Sequence, residues 1–269
     1  MLSPLHILAI SLIAISCASV PDKSLQQAEI HYNHGTENLI NKEYTVAVTH
    51  LIKAAELNPK NADIHNNLGM AYYFKQEKEL ALQHIRRAVE LDKKHTDARV
   101  NLASMLFESG DLREAEKNYL AALRDVTYEK HARTYYNLAL IELRRNQPKR
   151  ALAHLNAAVK EEEGYCPAWF QKGMLSYKSA NYESAAKEFH QARLGACVKD
   201  PAPLYWLAAT DIELGKFLSA RMKLDELTTT FPKSSYANLA NQKLSEINLR
   251  ESNTHYNKSE TNVVEPEKF

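Results

Sequence analysis

Residues 62–95 read ADIHNNLGMAYYFKQEKELALQHIRRAVELDKKH, and the spacing of small residues within them indicates how the chain folds. Gly69, Ala81 and Ala88 are separated by 12 and then 7 positions, and such sets recur every 34 to 36 residues. Two antiparallel helices cross closely only where the facing side chains are no larger than a methyl group. The full series is Gly35/Ala47/Ala54, Gly69/Ala81/Ala88, Ala103/Ala115/Ala122, Ala139/Ala151/Ala158, Gly173/Ala185/Ala192 and Ala208/Ala220, where Leu227 takes the last place.

This repeat is typical of tetratricopeptide (TPR) units, each a helix-turn-helix pair. We therefore predict an all-α, right-handed superhelix (solenoid) of six TPR repeats with a C-terminal capping helix, together occupying residues 28–250. The capping helix, near residues 235–250, covers the outward face of the last repeat. Residues 251–269 are polar and are expected to be a disordered tail. The expected repeats are 28–61, 62–95, 96–129, 132–165, 166–200 and 201–234.

Composition and motifs favour binding over chemistry. The 34 basic and 33 acidic residues give a net charge of +1 with no long run of either sign, which argues against a nucleic-acid partner. No GxSxG, GxxxxGK or HExxH motif is present, so we expect no enzyme, no cofactor and no small-molecule substrate. His31 and His34 lie one helical turn apart, but without an evident further ligand they are better explained as surface histidines than as a metal site.

The first residues have a different character. Ile7 to Ile15 is an apolar run too short to span a bilayer, and it ends at Ser16-Cys17. The tetrad 14–17, AISC, resembles a bacterial lipobox, in which the cysteine is fatty-acylated, for example with palmitate. We therefore expect a lipoprotein signal peptide at 1–16 and a linker at 17–27 after lipidated Cys17. Ala14 stands where leucine is usual and no basic residue precedes the run, so an ordinary signal peptide or a short buried helix stays open.

Two cysteines remain if Cys17 carries lipid. Cys166 and Cys197 fall at the first and thirty-second positions of the fifth repeat. The start of the first helix in an antiparallel pair lies near the end of the second, so a disulfide between them is expected in an oxidising compartment. Two buried thiols are the alternative.

Certain positions of each first helix face the concave groove of a TPR superhelix. The groove predicted in this way is aromatic and apolar, which is typical of surfaces that bind an extended segment or an amphipathic helix. Part of the set is also expected to pack between neighbouring repeats. The candidate partner-binding residues are Tyr32, Leu39, Met70, Tyr73, Phe74, Tyr136, Leu140, Phe170, Met174 and Tyr177.

A lipoprotein signal followed by six TPR units resembles the type IV pilus biogenesis lipoproteins, the pilotins of the PilF/PilW/Tgl kind. The resemblance is sharpest in the lengthened third-to-fourth connection, 122–133 (ALRDVTYEKHAR), which leads into 136–139 (YNLA). It implies an outer-membrane, periplasm-facing pilotin that binds secretin subunits and promotes their localisation and multimerisation, with no cofactor. It also implies a role in secretin assembly for Tyr32, Leu39, Met70 and Tyr73.

The residue after a lipidated cysteine affects sorting in Gram-negative cells, and Ala18-Ser19 indicates the outer membrane by analogy with known lipoproteins. Two other periplasmic functions stay open. One is a TPR lipoprotein of the β-barrel assembly machinery, to which residues 231–235 (FPKSS) are similar. The other is a scaffold for peptidoglycan-modifying enzymes.

Overall fold

The computed structural model describes residues 23–261, with side chains described up to residue 249. Across this range the chain is helical and contains no strand. Its Cα positions group into two compact units that divide between residues 98 and 99. The signal peptide predicted at 1–16 and the acylation predicted at Cys17 lie outside the described residues. None of the described helices is both long enough and apolar enough to cross a bilayer.

The first unit contains two helix pairs that pack at glycines. A Cβ atom added to Gly35 would lie 2.5 Å from Leu51 Cγ, and one added to Gly69 would lie 2.6 Å from Ile85 Cγ1. No side chain fits at that distance, so glycine lets the two helices of each pair approach closely. The helices are α1 (Lys23–Ile40), α2 (Tyr44–Leu57), α3 (Ala62–Phe74) and α4 (Lys78–Leu91).

The second unit contains four helix pairs and a final helix. A short 3-10 helix, Gly195–Cys197, precedes the last pair. The helices are α5 (Thr96–Ser109), α6 (Leu112–Ala122), α7 (His131–Arg144), α8 (Pro148–Glu161), α9 (Cys166–Lys178), α10 (Tyr182–Ala192), α11 (Pro201–Glu213), α12 (Phe217–Thr230) and α13 (Ser235–Thr261). The division between the units falls in the first turn of α5.

The small residues of the sequence pattern form the centre of each helix pair. All fourteen alanines of the pattern are at most 1% exposed. Leu227, the exception to the pattern, is also fully buried and belongs to a cluster with Ala237 and Ala240 of α13. Small residues on the capping helix therefore accommodate the larger side chain on α12. The predicted all-α fold of six TPR repeats and a capping helix is confirmed.

All six turns within the helix pairs share one backbone conformation. Each turn contains one residue of positive φ, with values from 56° to 89°. Gly110 directly follows its helix, and the other five are the second residue after the helix end: Lys42, Gln76, Asn146, Ala180 and Gly215. In five of the turns the next N–H donates to a carbonyl five residues earlier, as in Glu43 N to Asn38 O (2.8 Å). This is the Schellman arrangement, which ends a helix while satisfying its last carbonyls.

Two predicted boundaries differ from the structure. α1 begins at Lys23, inside the linker predicted at 17–27, because residues 23–27 (KSLQQ) contain no glycine or proline to delay the helix. α13 continues past residue 250 to Thr261, inside the tail predicted to be disordered, because residues 251–261 also contain neither. The rest of that predicted tail, 262–269, lies outside the described residues.

The long connection between α6 and α7 is ordered by its own side chains. Tyr128 is buried, and its ring meets His131 edge to face at 5.9 Å. His131 Nε2 donates to the carbonyl of Asp125 at 2.9 Å. The extra residues of this connection therefore form a packed turn at the start of α7.

Candidate functional site

The candidate residues of the first unit lie on α1 and α3. Tyr32, Leu39, Met70 and Tyr73 are half-buried, and Phe74 is 42% exposed. Asn67 Nδ2 donates to the Tyr32 hydroxyl at 3.3 Å. Burial raises the pKa of Tyr32, so its phenol stays neutral at physiological pH.

An exposed apolar edge lies at the α1–α2 turn and the end of α3. The rings of Tyr44 and Phe74 stack with centroids 5.0 Å apart, and Tyr73 meets Phe74 edge to face at 5.5 Å. Ile40, the last residue of α1, is 74% exposed. We call Ile40, Tyr44 and Phe74 the first-unit apolar edge. The contribution of Tyr44 was missed from the sequence, because the candidate residues were all chosen from the first helix of each repeat.

In the second unit, Tyr136 and Leu140 of α7 are half-buried. The Tyr136 ring meets that of Tyr165, just before α9, at 5.8 Å, and its hydroxyl hydrogen-bonds with the side chain of Gln171. Burial raises the pKa of Tyr136 and raises that of Tyr165 to about 12. These groups are positioned by contacts between α7 and α9 and remain uncharged.

Phe170, Met174 and Tyr177 on α9 pack against the core of the fifth and sixth repeats. Phe170 lies 5.7 Å from the buried ring of Phe189, and Tyr177 meets Trp206 edge to face at 5.2 Å. Burial, followed by the nearby Glu213 carboxylate, raises the pKa of Tyr177 to about 12. All three therefore stabilise the packing, and each keeps only part of its surface for a partner.

A cavity of about 610 Å³ lies beside α7, α8 and α9. Of the candidate residues only Met174 lines it. Its apolar lining and its size are those of a binding pocket. The cavity could not be predicted from the order of residues, because it depends on the space between the α7–α8 turn and the end of α9. The lining residues are Leu143, Asn146, Pro148, Lys149, Leu152, Gln171, Met174, Leu175, Lys178 and Ser179.

The two cysteines of the fifth repeat form a disulfide. Cys166 begins α9 and Cys197 ends the 3-10 helix, with their Cα atoms 6.1 Å apart. The bond fixes the connection after α10 to the start of α9, as the antiparallel geometry predicts.

Histidines of the first unit form pairs at equivalent places in consecutive repeats. His31 Nδ1 lies 3.2 Å from His50 Nδ1, and His65 Nδ1 lies 3.0 Å from His84 Nδ1. Burial lowers the pKa of His50, His65 and His84. Within residues 23–249 no group of three or more His, Cys, Asp or Glu side chains is arranged to hold a metal ion.

Comparison with known sequences supports the repeat pattern. Sequence models of the tetratricopeptide repeat match residues 40–76, 62–95 and 96–160. Among curated proteins, none is similar enough in sequence to match.

Solved structures with the same fold span most of the chain. PilF from Pseudomonas aeruginosa is 21% identical, with a TM-score of 0.71 over 84% of this chain and 99% of PilF. PilW, described as a widely conserved type IV pilus biogenesis factor, is 18% identical, with a TM-score of 0.70 over 80% of this chain and 98% of PilW. YrrB, a TPR protein with a peptide-binding site, is 24% identical, with a TM-score of 0.52 over 71% of this chain and 97% of YrrB.

These likenesses establish the fold, and the helical hairpins described above are the scaffold that TPR proteins use for protein interaction. Residues 40–160 contain tetratricopeptide repeats, and the fold of the chain is that of PilF and of the type IV pilus biogenesis factor PilW.

Proposed function

We propose that the chain is an outer-membrane lipoprotein of the pilotin type, which binds secretin subunits and promotes their localisation and multimerisation for type IV pilus assembly. The observation that carries the proposal is the likeness of fold, which covers 99% of PilF and 98% of PilW. The TM-scores of 0.71 and 0.70 also exceed the 0.52 of YrrB, which shares the helical hairpin unit. The description of YrrB as a peptide-binding TPR protein supports a polypeptide ligand.

The first-unit apolar edge is the surface that we assign to the secretin. Exposed apolar groups that cluster on a soluble domain mark partner sites, because covering them removes apolar surface from water. Phe74 and Ile40 are 42% and 74% exposed, so a partner can cover them without unfolding the repeat. Tyr32, Leu39, Met70 and Tyr73 on α1 and α3 are half-buried, and the Tyr73 ring contacts that of Phe74.

Deletion of the gene, followed by blotting of unboiled membranes for secretin multimers, tests the proposal. We expect the multimers to be lost in the deletion strain while the secretin monomer is still detected. Multimers at normal abundance would refute the pilotin role. Co-purification of β-barrel assembly subunits in place of the secretin would also refute it.

Two substitutions locate the surface. Ile40→Asp with Phe74→Asp places charge on the exposed edge, and we expect secretin multimers to fall to the level of the deletion strain. Val126→Asp is the matched control, since this apolar residue is 89% exposed and lies in the α6–α7 connection. Circular dichroism should show unchanged helix content in both variants. Normal multimers in the edge variant would exclude this surface.

Anchoring is tested separately at Cys17. If acylation holds the protein on the membrane, Cys17→Ala should move it to the soluble periplasmic fraction. Unchanged membrane retention would exclude the lipid anchor without bearing on secretin binding.

A further inference from the structure

The cavity beside α7, α8 and α9 has a divided lining. Its floor is apolar, formed by Leu143, Leu152, Met174 and Leu175. Leu143 and Leu175 are half-buried and pack against the core of the fourth repeat, which fixes the floor in place. Leu152 is 38% exposed and therefore faces the opening. The floor thus presents apolar surface that a ligand side chain can cover.

The rim of the cavity is basic. Lys149 lies in the first turn of α8 and Lys178 ends α9, and both side chains are exposed. Among the described residues neither lysine makes an ion pair, and none of the ten lining residues is acidic. Two uncompensated cations therefore stand beside an apolar floor, and they complement a ligand that combines apolar and anionic groups.

The start of α8 adds to the positive potential. Gln147, at the N-cap, makes no side-chain capping hydrogen bond, and the first turn contains no acidic residue. Lys149 and Arg150 occupy that turn, although the positive end of the helix dipole disfavours cations there. A carboxylate bound at the rim would compensate both the lysines and the helix end.

We infer that this cavity binds an acidic polypeptide segment, whose apolar side chain fills the floor while its flanking carboxylates pair with Lys149 and Lys178. The inference rests on the proposed function as a polypeptide-binding protein, and it specifies the chemistry of a partner segment at the second unit. A cavity of about 610 Å³ is large enough for a short segment, since drug-sized ligands occupy roughly 300–1,000 Å³. Two point cations beside an apolar floor suit separate carboxylates better than the continuous phosphates of a nucleic acid.

Peptide arrays test the inference directly with the purified protein. One synthetic array carries every pair of apolar residues between Asp and Glu flanks, and a second carries the same pairs between Lys and Arg flanks. We expect members of the acidic array to bind at least about tenfold more tightly in fluorescence anisotropy. The binding should weaken with added salt, because the pairs at the rim are solvent-exposed.

Charge reversal assigns the binding to the cavity. Lys149→Glu with Lys178→Glu should abolish binding to the acidic array. Lys187→Glu with Lys199→Glu is the matched control, since it changes the same charge at exposed lysines that do not line the cavity. Leu152→Ala should weaken binding about fivefold, whereas Leu194→Ala, an exposed leucine elsewhere, should not.

Several results would overturn the inference. It fails if neither array binds, if the basic array binds as well as the acidic one, or if Lys149→Glu with Lys178→Glu leaves binding unchanged in a folded protein. Binding that appears only after removal of residues 262–269 would make a segment of this chain the occupant, which also overturns it. Secretin multimers report separately on the proposed function, so normal multimers after deletion combined with acidic-peptide binding would refute only that function.

Discussion

Replacing Gly173 by alanine would place a methyl group too close to the ring edge of a buried phenylalanine. The added Cβ would lie 2.6 Å from both Cδ1 and Cε1 of Phe189, closer than real Cβ contacts occur. Phe189 is fully buried and is held between the rings of Phe170 and Trp206, at 5.7 and 6.3 Å. The ring therefore has little room to move away.

Two opposing effects set the size of the change. Alanine in place of glycine favours the helix by about 1 kcal/mol. Overpacking a close-packed site costs about 1–3 kcal/mol, so we expect Gly173→Ala to lower the free energy of unfolding by about 1 kcal/mol. Phe189→Leu alone leaves a small cavity and should cost roughly 1–2 kcal/mol. The double variant Gly173→Ala with Phe189→Leu has the same residues as the equivalent positions of the fourth repeat, Ala139 and Leu155, which are both fully buried.

The double variant should therefore be more stable than the sum of the two changes predicts, with a coupling free energy of about 1–2 kcal/mol. Urea denaturation followed by circular dichroism measures all four proteins of the cycle. Gly164→Ala replaces Gly173→Ala in the control cycle, because a Cβ at Gly164 meets no atom within 4 Å. Additivity within about 0.5 kcal/mol in the Gly173 cycle would refute the close-packing explanation of the small-residue pattern.

Three further predictions concern stability. Serine in place of both cysteines of the Cys166–Cys197 disulfide, which are 31 residues apart, should lower the free energy of unfolding by about 3 kcal/mol; identical urea midpoints with and without reductant would contradict this. Arg145→Met removes the cation 3.0 Å from the buried carboxylate of Glu142 and should cost about 3 kcal/mol, whereas Glu142→Gln should cost less; the reverse order in thermal denaturation would exclude this account. Burial lowers the pKa of His65 and His84 in the folded protein, so the free energy of unfolding is highest above about pH 6.5 and decreases as the pH falls through these lowered pKa values. His84→Gln should therefore reduce the decrease in the free energy of unfolding between pH 7 and 5. An unchanged pH profile of this variant in urea denaturation would contradict the prediction.

The fold could be predicted from the sequence because its determinants are local. Each set such as Gly69, Ala81 and Ala88 lies within one repeat, so the requirement for close helix contact is visible without knowing any other part of the chain. The start of α1 at residue 23 and the end of α13 at residue 261 were harder to predict. Residues 23–27 and 251–261 contain no glycine or proline that would mark where the helix should begin or end.

The residues that are exposed to a partner were harder to predict than the fold, because the position of a residue on a helix face does not show which neighbouring helix covers it. Phe170 and Tyr177 occupy groove positions by periodicity, yet Phe189 and Trp206 from other helices cover part of each ring. The cavity lined by Lys149 and Lys178 joins residues whose proximity depends on how far α9 stands from the α7–α8 turn. That distance is a property of the packed repeat and has no counterpart in the order of residues.

The shared left-handed turns have a consequence for engineering. Four of the six turn positions, Lys42, Gln76, Asn146 and Ala180, hold residues with a Cβ atom in a conformation that glycine adopts at no steric cost. Each such residue strains the backbone by roughly 1 kcal/mol, with asparagine the least affected. Glycine substitutions at Lys42, Gln76 and Ala180 would raise the free energy of unfolding without altering any helix face, which would suit a variant for crystallisation or display.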